Sequence, residues 1–325
     1  MYPVSDGGRI KGIKKRSRGI KKEMTLTPEQ LEKRRLGIGG SDVAAICGLN
    51  PYKTAVDVYL EKVLQDNPFQ ETDNDHLWFG KEIEPFVIKR FLFLYPQQIS
   101  YPDTTYDKEY PFLLGNVDGI LEDKSVLEAK NVGHFSKIKW GESGSDKIPI
   151  EYYLQVAHYV RILDAPRGII VAYFGGADFR IYEYKRNKII EEKIKEKCIS
   201  FWQNHVLTQT PPDVESYEDA RKLWREMIPE SQIESTEEIQ LYINQYHDKN
   251  KLIKEIEKEI DQIKTIICKH MQDNELLMGP DGKIMATWKK QSSLRFDTNL
   301  FKAKEKTLYE QYLRETSTER VLKIK

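Results

Sequence analysis

The stretch "GNVDGILEDKSVLEAKN", residues 115–131, places Asp118, Glu128 and Lys130 inside otherwise apolar, strand-like runs. With its flanks it reads as an antiparallel hairpin turning at Asp123. In that register Asp118 faces Glu128 and Asn116 faces Lys130. Directly opposed Cβ atoms lie about 4.5–5.5 Å apart. Lys130 follows Glu128 by two residues and so shares its face. The register matters, because a one-residue slip would turn one partner to the other side of the sheet.

Two carboxylates this close repel unless a divalent cation sits between them. Carboxylate oxygens suit Mg²⁺ or Mn²⁺, with nothing soft nearby. A lysine beside such an ion can hold the attacking water and offset charge in the transition state, the chemistry of phosphodiester hydrolysis. The same residues also fit the plain surface of a hairpin whose other face is buried, and D…E-x-K spacing alone is weak.

Working outward, residues 167–186 read as two more strands around Gly175-Gly176. Between the strand pairs "IEYYLQVAHYVRIL" is a helix, and residues 188–207 form another. Upstream, "TPEQLEKRRLG" has Thr27 and Gln30 in a capping box, Pro28 at the first helical position and Gly37 as the stop. Helices are expected at 41–47, from Thr54 to Leu64 and from Asp75 to Leu94. Helices followed by mixed strands with an inserted helix predict an α/β core, a mixed central sheet flanked by helices.

"QTPPDV" at 209–214 breaks this pattern. Beyond it, 236–272 is a long charged helix with a seam at Ile253, Ile256, Ile260, Ile263 and Ile267. Two heptads are few, so the seam is expected to pack on the protein's own surface. A hairpin around Pro280-Asp281-Gly282, a helix near 298–313 and a last strand in "RVLKIK" complete an appendage. The expected divisions are a basic tail over 1–26, a core over 27–210 and the appendage over 211–325.

The 325 residues carry 39% hydrophobic and 31% charged side chains with zero net charge, so a soluble globular protein is expected. Any nucleic-acid partner must be met by local basic patches. The tail sequence "RIKGIKKRSRGIKK" reads as a solvated tail or as a phosphate-touching arm. Cys47, Cys198 and Cys268 form no metal motif or disulfide framework, which suggests a reducing, cytosolic setting. No apolar run is long enough for a membrane span, and the N-terminus lacks a signal-peptide core.

Other residues carry weaker signals. Gln155 and Tyr159 stand at i and i+4 on one helix face. Glu84, with Glu82 as a competitor, sits in the helix upstream of the hairpin. "RRLGIGGSD" sets Arg34, Arg35 and Ser41 around a glycine loop that leads into a helix. Loop amides, a hydroxyl and a guanidinium make a phosphate cradle. The same loop equally fits a helix stop followed by a helix start.

Taken in order, "RRLGIGGSDVAAICGLNPYKTAVDVYLEK", "FGKEIEP", "GNVDGILEDKSVLEAKN" and "YLQVAHY" resemble the YqaJ-type viral recombinase family. These are phage exonucleases related to lambda exonuclease, within the PD-(D/E)xK nuclease superfamily. The resemblance covers about residues 31–207, with Val117 where proline often precedes the aspartate. It implies a restriction-endonuclease-like core and a 5′-to-3′ exodeoxyribonuclease that acts on duplex ends with Mg²⁺, Mn²⁺ substituting. Asp118 and Glu128 would bind metal, with the Ala129 carbonyl as an extra ligand and Glu84 assisting directly or through water. Lys130 would position the nucleophilic water, while Gln155 and Tyr159 order the site and the scissile strand. Arg35 and Ser41 would hold the 5′-phosphate, with Arg34 as the competitor. The resemblance also implies a homo-oligomer, a single-strand annealing partner and the cytoplasm of a bacterial host. The rival readings are an endonuclease or Cas4-like member of the superfamily, and a non-catalytic DNA-end-binding protein.

Overall fold

Residues 115–131 do form the hairpin at the centre of the molecule. In this computed structural model, which describes residues 35–64, 75–176, 178–314 and 320–325, Gly119 pairs with Leu127 and Ile120 with Val126. That is the register expected for a turn at Asp123. The Asp123 carboxylate accepts the Ser125 N–H at 3.0 Å, and Lys124 takes a positive φ of 69°. An aspartate bonding its own turn is a common way to fix a tight reversal. The basic tail, the Thr27 helix and Arg34 lie outside the described residues.

The hairpin strands are β4 (Gly119–Leu121) and β5 (Val126–Val132). Before them come α1 (Gly40–Ile46), α2 (Ala55–Val63), α3 (Asp75–Leu94), β1 (Ile99–Ser100), β2 (Thr105–Tyr106) and β3 (Leu114–Gly115). After them come α4 (Ile150–Ile162), β6 (Arg167–Phe174), β7 (Asp178–Lys185), α5 (Lys188–Phe201) and α6 (Tyr217–Leu223). Five strands make one sheet in the order β1-β4-β5-β6-β7. β5 and β6 run parallel, and the other neighbours are antiparallel. A parallel pair needs a crossover of a dozen or more residues, and α4 lies within it. The sheet is mixed and flanked by helices, as expected.

Side chains alternate across β5, so it feeds two cores. Leu127 and Ala129 meet Val87, Ile88 and Phe91 of α3. Val126 and Val132 join the larger core with Val43, Val156, Val160 and Ile194 from α1, α4 and α5. β6 is covered on both faces, which explains its nearly continuous apolar run "GIIVA". Gly168 in β6 is required by packing: a Cβ there would lie 2.1 Å from Val156 Cγ1 of α4.

Several expectations change in detail. The strand region 110–131 is broken by a bend into β3, β4 and β5, and β1 and β2 are too short to leave a periodic trace. The helix from 188 becomes a π turn at Trp202–Val206, where Trp202 stacks on Phe112 at 5.1 Å. The first compact unit runs past the Pro211-Pro212 break and ends at Trp224; the second is Arg225–Lys325. The cause is α6, which is tied to α2 by Lys222 on Asp57 and by the Thr54 hydroxyl on Asp219, both at 2.7 Å.

The second unit contains α7 (Glu237–Met271), β8 (Leu276–Met278), β9 (Ile284–Thr287), α8 (Thr298–Lys304) and α9 (Lys306–Gln311). α8 and α9 replace the single helix expected near 298–313. "RVLKIK" forms no strand over its described residues; instead the chain-end carbonyl of Lys325 sits 3.2 Å from His247 Nε2 on α7. The isoleucine seam of α7 is exposed rather than packed. No described helix is long and apolar enough to cross a membrane.

Candidate active site

Asp118 immediately precedes β4, where the hairpin opens. Its Oδ2 accepts the Ala129 N–H at 2.7 Å, which pins the carboxylate against β5. Glu128 points to the α4 side of the sheet and is 3% exposed. Gln155 of α4 donates its Nε2 to Glu128 Oε1 at 2.7 Å and to Tyr159 Oη at 3.2 Å. The i, i+4 spacing read from sequence therefore does put both side chains on one line to the carboxylate.

Lys130 Nζ bridges Glu128 Oε1 at 2.5 Å and Gln155 Oε1 at 3.1 Å. It also lies 5.0 Å over the Tyr152 ring, which stacks on Trp140 at 5.4 Å. Tyr152 and Trp140 give no sequence signal, because an aromatic on an apolar helix is usually core. Glu84 of α3 reaches Asp118 with its carboxyl, close enough to share a proton. Pro85 follows it inside α3 and cannot donate a backbone hydrogen bond, so that turn of helix is already incomplete. Glu84, Asp118, Glu128, Lys130, Gln155 and Tyr159 are thus brought together.

The electrostatics show surplus negative charge in a confined space. Burial pushes Glu84 up to about 7, with the Asp118 charge adding to it. Burial raises Asp118 as well, against the Ala129 N–H and Lys130, which act to lower it. Glu128 is raised by burial, an effect that Lys130 only partly offsets. Burial opposes charge on Lys130, but Glu128 outweighs it and keeps the ammonium protonated.

One atom stands out. Glu128 Oε2 is buried with no hydrogen-bond partner among the described residues. Leaving a buried carboxylate oxygen unsatisfied costs about 1–3 kcal/mol or more. A cation would satisfy it. Among the described residues no three His, Cys, Asp or Glu side chains are gathered into a ready ion cage. That pattern suits Mg²⁺, which typically takes one or two carboxylates plus waters and substrate phosphates. The donors present are all hard oxygens, so Asp118, Glu128 and the Ala129 carbonyl fit such an ion.

Beside this cluster is a cavity of about 460 Å³ walled by Ser41, Lys62, Asn116, Gln155 and Tyr159. Ser41 is exposed on its rim, while Arg35 is half-buried and not part of the lining. The expected cradle of loop amides is altered: the Gly39 N–H is taken by the Asp42 carboxylate at 3.2 Å. Asp42 also holds Lys62 at 2.7 Å and Lys53 at 2.9 Å. The glycine at 40 serves packing, since a Cβ there would lie 2.5 Å from the Tyr159 ring. Asp42 and Lys62 were invisible to sequence reasoning because they meet only in the fold.

Residues 29–166 match the family model of the YqaJ-like viral recombinase domain, a span that takes in the loop, Glu84, the hairpin and α4. The chain carries a YqaJ-like viral recombinase domain. The likeness extends beyond that domain. YqaJ of Bacillus subtilis (strain 168) is 29% identical over 296 residues, covering 89% of this chain and 91% of that protein. Among solved structures, LHK-Exo, an alkaline exonuclease from Laribacter hongkongensis crystallised with dAMP, is 16% identical. Its match covers 57% of this chain and 94% of LHK-Exo, at a TM-score of 0.48. A phage related exonuclease from Haemophilus somnus 129PT is 14% identical, covering 54% and 95% at a TM-score of 0.43.

Proposed function

We propose that this protein is a Mg²⁺-dependent exodeoxyribonuclease that degrades one strand of duplex DNA from its 5′ end. The 3′ single strand it leaves would pass to a single-strand annealing protein in phage-type recombination, in the cytoplasm of a bacterial host. The observation that carries the reading is the orphaned Glu128 Oε2, buried beside Asp118 and facing a lysine held by Gln155.

Asp118, Glu128 and the Ala129 carbonyl would hold the ion, Glu84 assisting directly or through water, and Mn²⁺ would serve in its place. When bound, Mg²⁺ supplies a Lewis acid for the phosphoryl oxygens and lowers the pKa of a coordinated water. Lys130 stays charged beside Glu128, so it can donate to the attacking water and to the oxygen on which charge develops. Gln155 fixes both Lys130 and Glu128 Oε1, which leaves Oε2 as the free ligand. Tyr159 fixes Gln155. Ser41 and Arg35, with Arg34 as the alternative, would meet the terminal 5′-phosphate at the cavity mouth, where Lys62 adds buried positive charge.

The test is a linear duplex labelled separately at its 5′ and 3′ ends, alongside a covalently closed circle. Mg²⁺-dependent early loss of the 5′ label with the circle intact is expected. Cutting of the circle would point to an endonuclease. Early loss of the 3′ label would reverse the polarity, and end binding without cleavage would favour a non-catalytic binder.

A further inference from the structure

The long helix of the second unit leaves an apolar stripe that its own unit does not cover. Over the seam, Ile253 is 52% exposed, Ile256 45%, Ile260 44%, Ile263 57% and Ile267 37%. Leu252 and Ile266 widen the stripe at 48% and 68%. α7 has 35 residues, so it is about 50 Å long at 1.5 Å per residue. A contiguous apolar stripe on this scale marks an interaction surface.

The spacing of the stripe says what covers it. The isoleucines alternate three and four residues apart, as a and d positions of a heptad do. Isoleucine at both a and d shifts parallel coiled coils from two strands to three or four. With Ile260 at a, Glu259 falls at g and Lys264 at the following e. In a parallel bundle g of one helix meets the following e of its neighbour, so Glu259 faces Lys264 of the next copy. Within one chain Lys264 reaches only across an exposed turn to Asp261 at 3.1 Å, with both side chains over two-thirds exposed. Such a pair contributes little, so its loss would not oppose assembly. Leu252 and Glu257 occupy the other g and e positions, where no like charges meet. The surface is complementary to itself.

We propose that α7 joins three or more copies of this chain through a parallel coiled-coil bundle packed along Ile253, Ile256, Ile260, Ile263 and Ile267. This assembly surface lies outside the nuclease site and does not depend on the nuclease reading.

The full chain at micromolar concentration, measured by sedimentation equilibrium, should have at least three times the 38.1 kDa chain mass. The double variant Ile256→Lys, Ile263→Lys should fall to a lower assembly state. Both positions are exposed in the single chain, so circular dichroism should show the variant still folded. In a parallel, in-register bundle like positions meet at the core, so Ile260→Cys should form an interchain disulfide under mild oxidation, and the parent should not. A monomeric or dimeric parent would overturn the proposal. So would an unchanged mass in the double variant, which would place assembly on another surface. Failure of the Ile260→Cys cross-link would overturn the parallel register.

Discussion

Replacing Asp42 by asparagine removes a charge that two lysines share under the active-site cavity. Asp42 is 5% exposed and accepts from Lys62 at 2.7 Å, Lys53 at 2.9 Å and the Gly39 N–H at 3.2 Å. Burial alone would raise its carboxyl; the two ammonium groups outweigh it and hold the group well below the usual carboxylate range. Asparagine keeps the shape and one acceptor but leaves the Lys62 ammonium, 2% exposed, in the core with the Asp42 charge gone. Removing one partner of a buried pair costs about 3–5 kcal/mol. Lys53 keeps Glu61 at 2.8 Å and should add little to the loss. The expected deficit of ~3–5 kcal/mol is a large share of the 5–15 kcal/mol typical of a domain. It is read from urea unfolding midpoints at pH 7, and adding Lys62→Met should recover part of it. Because the folded carboxyl lies below its unfolded value of 3.8, its stabilisation is present above that pH and is lost as pH falls below it. The gap between parent and variant should therefore narrow in acid. A deficit under about 1 kcal/mol, or one that does not change with pH, would refute the shared-charge reading.

Lys130→Ala should lower single-turnover cleavage much more than duplex affinity, since the role proposed for it is on the water and the developing charge; weaker binding with unchanged chemistry would make it a phosphate contact instead. Gly40→Ala should cost ~1–3 kcal/mol through overpacking on Tyr159 and should slow cleavage by displacing the Gln155 contact. Gly39→Ala, whose Cβ would meet its nearest neighbour at 3.5 Å, should be tolerated, and equal effects of the two would exclude the packing explanation. Burial, with Arg161 nearby, holds His158 down to about 4, against 6.5 for the ordinary side chain. Neutral His158 therefore contributes stability above pH 6.5 that is lost as pH falls from 6.5 towards 4, about 3 kcal/mol in all, and His158→Gln should flatten that part of the stability–pH curve.

The hairpin register was readable because an aspartate turn and a two-residue period leave little freedom between Asp118 and Lys130. α3 and α4 were readable from their 3.6-residue period, and with them Glu84, Gln155 and Tyr159. Strands of two residues, such as β1 and β2, have no period to detect. The Asp42–Lys53–Lys62 network joins residues 11 and 20 apart in sequence, and only the packing of α1 against α2 brings them together. A charged surface and a buried network look the same in the sequence there. "GIGGSD" was read as a phosphate loop for its glycines, yet the Gly39 amide serves Asp42 and the missing Cβ of Gly40 makes room for Tyr159. The α7 seam was visible as a heptad, but whether its partner lay within the chain was not a property of the pattern.

The orphaned oxygen of Glu128 is tested most directly by titrating Mg²⁺ into single-turnover cleavage of a 5′-phosphorylated duplex, with the parent, Asp118→Asn and Glu128→Gln compared. The parent should cleave only with the ion and saturate with it. Both variants should bind duplex ends nearly as the parent does and show no cleavage at any Mg²⁺ concentration tested. Parent cleavage that persists in a chelator, or near-parental rates in either variant, would contradict a metal site built on these two carboxylates.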